Sequence, residues 1–334
     1  MTSYREAGVD IDAATQANAL MSAAVRSTYT PQVLAGMGAF GGCFALDDQQ
    51  VLVASTDGVG TKTLVAAALG RYDTVGQDLV NHAINDILVQ GARPLFFLDY
   101  IALAQLDPQQ VADLVGGVAA ACRAAGVALI GGETAQMPDV YRDGAFDLAG
   151  TIVGLVQRDA MLPRGVAAGD AILALPSSGL HTNGYSLARR LVAEIGYDAR
   201  PDLLLGESVG DALLAVHRCY VPQVTVWQAA GIALHALAHI TGGGLWDNLP
   251  RVLPAGLGAE LRRGSWQVPP ICRLLVDLGK LDEYEAYHAL NMGLGMLAIV
   301  PAAAADAARA AVPEALVAGA VVAGPGVRLV DMIP

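Results

Sequence analysis

The sequence predicts an α/β (α+β) protein built from two domains of similar size, residues 1–168 and 169–334. Three observations predict it. Short β-branched runs alternate with longer helical patterns. The succession of strand, glycine loop and helix occurs in both halves. Between the halves, Gln157 to Gly169 carries Arg158, Asp159, Arg164, a proline and two glycines, the composition of a linker. With 334 residues, 54 % of them hydrophobic, the chain has material for two cores, which excludes disorder as its main state.

A polar opening leads into a helical pattern over Ala13–Arg26, followed by a glycine loop, Gly36-Met-Gly-Ala-Phe-Gly-Gly42, expected to be mobile. Val51–Thr56, Leu95–Ala102, Val127–Ile130 and Phe146–Val156 read as buried strands by length, branching and flanks. Helices over Thr74–Gln90 and Pro108–Ala125 lie between them. After the linker come a strand Ala171–Leu175, a glycine loop and a helix Gly184–Ile195. A strand Ala236–Ile240, a second glycine loop, a helix from Leu245 and a strand Met296–Val300 complete the pattern.

Thirty-two acidic residues against 20 basic ones give a net charge of −12, which excludes a general affinity for nucleic acids or anionic membranes. Only Lys62 and Lys280 are lysines, so a lysine placed in a glycine-rich loop stands out. Cys43, Cys122, Cys219 and Cys272 form no CxxC pair, the pattern of core cysteines in a reducing compartment. No apolar leader opens the sequence, and no apolar run approaches about 18 residues. A cytoplasmic protein is expected.

Three constellations carry chemistry. In Ser55-Thr-Asp57-Gly58-Val-Gly60-Thr61-Lys62-Thr63, directly after a strand, glycines let backbone amides approach phosphate oxygens. Lys62 supplies a point charge there, and Asp57 can hold a hard cation. The spacing fits neither a Walker A loop nor a dinucleotide fingerprint, and an ordinary tight turn with a surface lysine is the competing reading.

The second constellation is a helix stripe of Asp78, Asn81, His82, Asn85 and Asp86, with Leu79, Val80, Ala83, Ile84, Ile87 and Leu88 opposite. It is either a solvated face or a set of oxygen donors suited to Mg²⁺. Asp99 and Glu133 end two other strands; gathered together, such acids require a cation.

The third is Pro176-Ser-Ser-Gly-Leu-His181-Thr-Asn183-Gly-Tyr185, where a strand, a glycine loop and a helix N-terminus make an anion site. His181 serves there as acid, base or donor, or merely caps backbone. Thr241-Gly242-Gly243-Gly244 repeats the arrangement, and three glycines in a row imply the close approach of a backbone or a ligand. His217, His235, His239 and His288 show no metal-ligand spacing, and the pair His235 and His239 reads as structural.

Taken together and in order, these motifs resemble the phosphoribosylformylglycinamidine cyclo-ligase (AIR synthetase) family. The resemblance starts at Tyr4–Asp12 and continues through Thr56–Lys62, Asn85–Ala92, Pro94–Tyr100 and Gly131–Pro138. It takes in Ser177–Ser186, His239–Gly244 and Asn291–Met296 in the second half. It implies an AIR synthetase-like fold: an N-terminal α/β domain that pairs in a homodimer through a β-barrel-like interface, and a C-terminal α+β domain. It also implies closure of the imidazole ring of aminoimidazole ribonucleotide from formylglycinamidine ribonucleotide and ATP, in purine biosynthesis.

By the same resemblance, Mg²⁺–ATP belongs at Asp57, Asn85, Asp86 and Glu133, with Asp78 and Asp99 as further metal candidates. Lys62, Thr61 and the amides of Gly58 and Gly60 would face the triphosphate under a lid formed by Gly36–Gly42. His181 and Asn183 would meet the reacting amide, and Gly242, Gly243 and Gly244 the ribose phosphate. A requirement for a monovalent cation such as K⁺ is left open.

The sequence departs from the family pattern in three places. The first helix lacks its usual lysines, with Ser22 at one such position; His288 stands for an arginine; Asn81-His82 stands for Met-Cys. The related selenophosphate synthetases, hydrogenase-maturation dehydratases and thiamine-phosphate kinases fit less well. Cys43 has no neighbouring lysine, the C-terminus has no cysteine, and the Phe96–Tyr100 and His181–Tyr185 contexts are those of the cyclo-ligases. A nucleotide-binding paralogue without turnover is the non-enzymatic alternative.

Overall fold

The computed structural model describes residues 11–331. The resemblance segment at 4–10 lies outside them, as do residues 332–334. The first half runs α1 (Ile11–Arg26), β1 (Val33–Ala35), β2 (Gly42–Ala45), β3 (Gln50–Gly58), α2 (Lys62–Leu69) and α3 (Asp73–Leu88). It continues with β4 (Arg93–Leu103), α4 (Pro108–Ala125), β5 (Ala128–Gln136) and β6 (Phe146–Gln157). These six strands form one sheet in the order β1-β2-β3-β6-β4-β5, in which only β4 and β5 are parallel.

The ends of α4 show how local chemistry sets an element. Asp107 caps it by accepting from the Gln109 and Gln110 amides, Pro108 occupies its first turn, and Gly126 closes it in a left-handed conformation. Helices α3 and α4 both cover one face of the sheet. They touch backbone to backbone: a Cβ on Gly76 would lie 2.3 Å from the Leu114 carbonyl oxygen, and one on Gly117 would lie 2.3 Å from that of Asp73. Among the described residues nothing covers the other face of the sheet, where Phe44, Leu98 and Tyr100 are exposed.

The second half runs β7 (Ala171–Pro176), α5 (Tyr185–Leu191), α6 (Val209–Leu214), α7 (Val221–Ala229), β8 (Ala236–His239) and α8 (Gly244–Asn248). It ends with β9 (Leu257–Arg262), α9 (Pro270–Gly279), α10 (Glu283–Ala289), β10 (Leu294–Val300), α11 (Ala305–Ala311), β11 (Leu316–Ala323) and β12 (Gly326–Val330). Its sheet has the order β12-β9-β11-β7-β10-β8. Strands β8 and β10, at one edge of the sheet, are buried along their whole length and the adjoining β7 nearly so, which means both faces of this side of the sheet are covered.

The strands Ala171–Leu175 and Phe146–Val156 and the helix Pro108–Ala125 fall within a residue of their expected bounds. The glycine loop at 36–42 runs directly into β2, an element the glycines conceal in the sequence.

Candidate active site

The stripe on α3 is the backbone of the site, and it is not solvated. Asp78, His82, Asn85 and Asp86 are buried, as is the apolar face behind them. The stripe docks on the second half of the chain, largely on its main chain. Asp78 Oδ1 accepts from the His217 amide (2.6 Å), and Asn81 Nδ2 donates to the His217 carbonyl (2.7 Å). Asn85 Nδ2 donates to the Arg218 carbonyl (2.8 Å), while its Oδ1 accepts from the Tyr220 amide (3.0 Å). Asp86 Oδ1 accepts from His239 Nδ1 (2.8 Å). Every side chain of the stripe, His82 included through the Thr182 hydroxyl, therefore bonds directly to the second half.

At the near end of the stripe, Lys62 Nζ lies 2.7 Å from Asp78 Oδ2, both side chains fully buried. The same ammonium donates to the carbonyls of Ala215 (2.7 Å) and His181 (3.2 Å). This corrects two expectations. Lys62 does not face an open phosphate pocket, because its hydrogens are committed to protein oxygens. Asp78 is not a free metal ligand, because one oxygen holds Lys62 and the other an amide. Burial outweighs the pairing here: it lowers the Lys62 ammonium and raises the Asp78 carboxyl from their ordinary values, despite mutual attraction.

At the far end the shifts reverse. His82 Nε2 sits 2.7 Å from Asp57 Oδ2 and 3.5 Å from Asp86 Oδ2, and its Nδ1 is 2.7 Å from the Thr182 hydroxyl. Burial alone would lower this imidazole, but Asp86 and Asp57 raise it to about 10. Burial likewise works to raise both carboxyls, yet His82 holds each below its ordinary value, helped at Asp86 by His239 and at Asp57 by the Gly58 amide. Asp57 is the open member, its side chain 45 % exposed.

Beside Ser55 and Thr56 lies a cleft of about 530 Å³ lined by the loop from Gly36 to Phe44. The Arg251 guanidinium sits over the Phe40 ring at 5.0 Å and brings a positive charge to this loop from the second half. Thr61 Oγ1 shares a 3.2 Å hydrogen bond with Ser186 Oγ, a bridge between the halves. Gly60, at φ 70°, has open space where a Cβ would stand.

The other acids are only partly assembled. Asp57 and Asp99 both pair with Gly150 across the sheet, so they share a face about 10 Å apart at the usual strand spacing. Glu133 pairs with Tyr100 one row on, faces the other way, and is exposed. The expected cluster of four or more carboxylates does not form within the described residues of one chain.

From the second half, the loop at 177–185 brings His181 against the stripe. His181 has a left-handed backbone, φ 63°, and its Nε2 accepts from the Ser178 amide at 3.2 Å. In the neutral ring Nδ1 then carries the proton, and it is buried without a partner. Burial, followed by the charges of His239 and Lys62, keeps this imidazole neutral, well below its ordinary pKa. Asn183 Nδ2 is likewise buried and unpartnered. Two donors with nothing to donate to among the described residues thus stand in one loop.

The triple glycine is explained mainly by packing. A Cβ on Gly244 would lie 1.9 Å from the Tyr287 carbonyl, where α8 crosses α10, and one on Gly243 would strike Asp247. Only Gly242 faces the site, with a Cβ position 3.2 Å from Asn183 Oδ1.

Sequence reasoning missed His217 and His239. The first is in a loop before α7, and the second, read as structural, ends β8 beside Asp86. Neither has a spacing that could announce it, because the site is assembled from separate elements.

Comparison with known proteins places these features in a family. The chain matches the models of the AIR synthase related protein N-terminal domain over residues 38–156 and C-terminal domain over residues 167–332. It is 50 % identical over 309 residues to a phosphoribosylformylglycinamidine cyclo-ligase of Desulfitobacterium hafniense, covering 89 % of each chain. It is 49 % identical to that of Magnetococcus marinus, covering 92 % of this chain and 88 % of the relative. Among solved structures, E. coli HypE, a hydrogenase maturation protein, aligns at a TM-score of 0.62 with 21 % identity, covering 91 % of this chain and 90 % of HypE. A thiamine-monophosphate kinase of Stenotrophomonas maltophilia aligns at 0.60 with 21 % identity, covering 91 % and 93 %. These two share the fold alone, whereas the sequence relatives are specific. The chain belongs to the phosphoribosylformylglycinamidine cyclo-ligase family of AIR synthase related proteins.

Proposed function

We propose that the chain converts formylglycinamidine ribonucleotide and ATP to aminoimidazole ribonucleotide, ADP and phosphate, in the cytoplasm. The observation that carries the reading, beside the names of its relatives, is the pair of unpartnered buried donors, His181 Nδ1 and Asn183 Nδ2. An amide oxygen is a poor leaving group. In the proposed route it attacks the γ-phosphoryl group and becomes an iminophosphate, with ADP released. The amidine nitrogen, held close, then attacks the activated carbon, and phosphate departs with the former formyl oxygen. A neutral His181 suits this role, because it donates to oxygen as charge develops and needs no proton exchange of its own.

Mg²⁺ supplies charge neutralisation for a triphosphate. The donor set fits it in part. Asp57 offers a half-exposed carboxylate beside the cleft, and Asp99 a second on the same face. Asp86 is buried and bonded to two imidazoles, so its part is to hold His82 and His239 in place. The amides of Gly58 and Gly60 remain suited to phosphate oxygens, and Gly242 to the substrate side. We place the domain boundary at 168/169, between the two sheets, and assign the uncovered face with Phe44, Leu98 and Tyr100 to a homodimer. Glu133, on the partner-facing side, would reach a nucleotide only in that assembly.

The test is incubation of the purified protein with Mg²⁺–ATP and substrate carrying ¹⁸O in its formyl group. Aminoimidazole ribonucleotide with label in phosphate is expected. Nucleotide binding without product would replace this reading by the non-enzymatic one.

A further inference from the structure

Four imidazoles meet where α3 docks on the second half: His82, His181, His217 and His239, all buried. Their hydrogen bonds fix which nitrogens carry lone pairs. His239 Nδ1 lies 2.8 Å from a carboxylate oxygen of Asp86 and must donate, which leaves its Nε2 as the lone-pair nitrogen of a neutral ring. The Asn85 amide is oriented by two main-chain partners, the Tyr220 amide on Oδ1 and the Arg218 carbonyl on Nδ2. Its remaining hydrogen points toward His217 Nε2 from 3.2 Å. The charged His82 donates its Nδ1–H to the Thr182 hydroxyl, whose own proton then goes to His217 Nδ1 at 3.3 Å.

His217 therefore carries its ring proton on Nε2 and donates it to His239 Nε2, 3.0 Å away. A proton holds the two rings together there, and a metal ion can take its place with release of that proton. A third imidazole is within reach. His181 stacks on His217 with centroids 3.9 Å apart, its Nδ1 is buried without a partner, and one nitrogen from each of the three rings lies within 4.8 Å of the others.

We propose that His181, His217 and His239 form a three-imidazole site for a zinc-class divalent transition-metal ion, with water in the fourth position. At metal–nitrogen distances of 2.0–2.1 Å, tetrahedral ligands stand about 3.3 Å apart, so the ligand nitrogens close by about 1.5 Å at most, and His181 turns out of its stack on His217 to aim its lone pair at the ion. Asp86 behind His239 supplies the carboxylate that orients a metal-bound imidazole and raises its basicity. The donors are all nitrogen, which selects Zn²⁺, Co²⁺, Ni²⁺ or Cu²⁺ and disfavours Mg²⁺. The site is therefore chemically distinct from the carboxylate positions at Asp57 and Asp99.

Ligation through His181 Nδ1 moves that ring's proton to Nε2 and gives up the bond accepted from the Ser178 amide. Bound metal and the donor role of His181 thus exclude one another. Zinc is an inhibitor of the enzyme on this account, a consequence that rests on the catalytic reading of His181; the site itself does not.

The experiment titrates the chelator-stripped full chain with Co²⁺ and reads its visible absorption. Expected are the intense bands of a tetrahedral nitrogen-bound ion at one equivalent, displaced by Zn²⁺ and unaffected by millimolar Mg²⁺. His217→Asn lowers the Co²⁺ affinity by at least about tenfold. If His217→Asn does not fold, by circular dichroism, X-ray absorption of the wild-type Zn²⁺ complex decides, with three imidazole shells expected. No binding, a weak octahedral spectrum, fewer than three imidazoles, or unchanged affinity in a folded His217→Asn each overturns the site. The bridging centre is then a proton. Product formation is not read at all, so failure here leaves the cyclo-ligase reading untouched.

Discussion

Asp78 and Asp86 sit on the same helix face, two turns and about 12 Å apart, both buried and both bonded to the second half of the chain. Their partners differ. Asp78 faces Lys62, a fixed cation with no exit to solvent. Asp86 faces His82 and His239, whose charge can change, and connects through His82 to the half-exposed Asp57. Burial drives the first pair toward neutrality, whereas the network drives Asp86 and His82 toward their charged forms. The same residue type on one stripe is therefore a clamp at one end and a responsive site at the other. What separates them is access to a replaceable positive charge.

The largest expected effect is at the clamp. Lys62→Met leaves Asp78 buried and unpaired, and removal of one partner of such a pair costs about 3–5 kcal/mol of stability. Urea unfolding measures it, and Lys62→Met with Asp78→Leu should recover most of the loss. A single variant of ordinary stability with a raised KM for ATP would instead return Lys62 to the phosphate site and erase the distinction between the two ends.

At the responsive end, Asp57→Asn should leave stability within about 1 kcal/mol, since the side chain is half-exposed, while turnover falls on the order of 10²–10³-fold. Unchanged kinetics would remove Asp57 from the nucleotide site. His181→Ala should lower kcat about 10²-fold with KM for ATP changed only a few-fold. An equal loss of nucleotide affinity would mean that His181 holds the nucleotide and does not act on the amide.

The sequence made some of this contrast legible. Helix α4 could be read to its ends because its stop signals are local: Asp107, Pro108 and Gly126. The stripe on α3 could be read as a face, since its spacing is helical. Its destination could not, because the main chain of residues 217–220 that receives it is over 130 residues away. Lys62 was misleading for the same reason. A scarce lysine in a glycine loop suggests phosphate, but its partners are Asp78 on the next helix and two carbonyls from the other half. Strands such as β11, made of Leu, Val, Ala and Gly without alternation, gain their identity from the sheet that surrounds them. Burial of a charge is a tertiary fact, and the difference between Asp78 and Asp86 is of that kind.

The gentlest test of the comparison is pH. In the metal-free protein His82 is raised from its ordinary 6.5 to about 10, so the folded state holds a proton that the unfolded chain releases between those values. Its stabilising contribution is therefore complete below pH 6.5 and is lost progressively as pH climbs to about 10. Lys62 shifts the opposite way, its folded value lying below 10.5, so above that folded value its contribution grows with pH up to 10.5. Wild-type unfolding alone mixes the two signs. The difference between wild type and His82→Gln, measured in EDTA, isolates the first, and it should narrow steadily from pH 6.5 to 10. A difference that stays constant would mean that His82 is held by shape and hydrogen bonding alone. Asp86 would then be clamped as firmly as Asp78, and the two ends of the stripe would be equivalent.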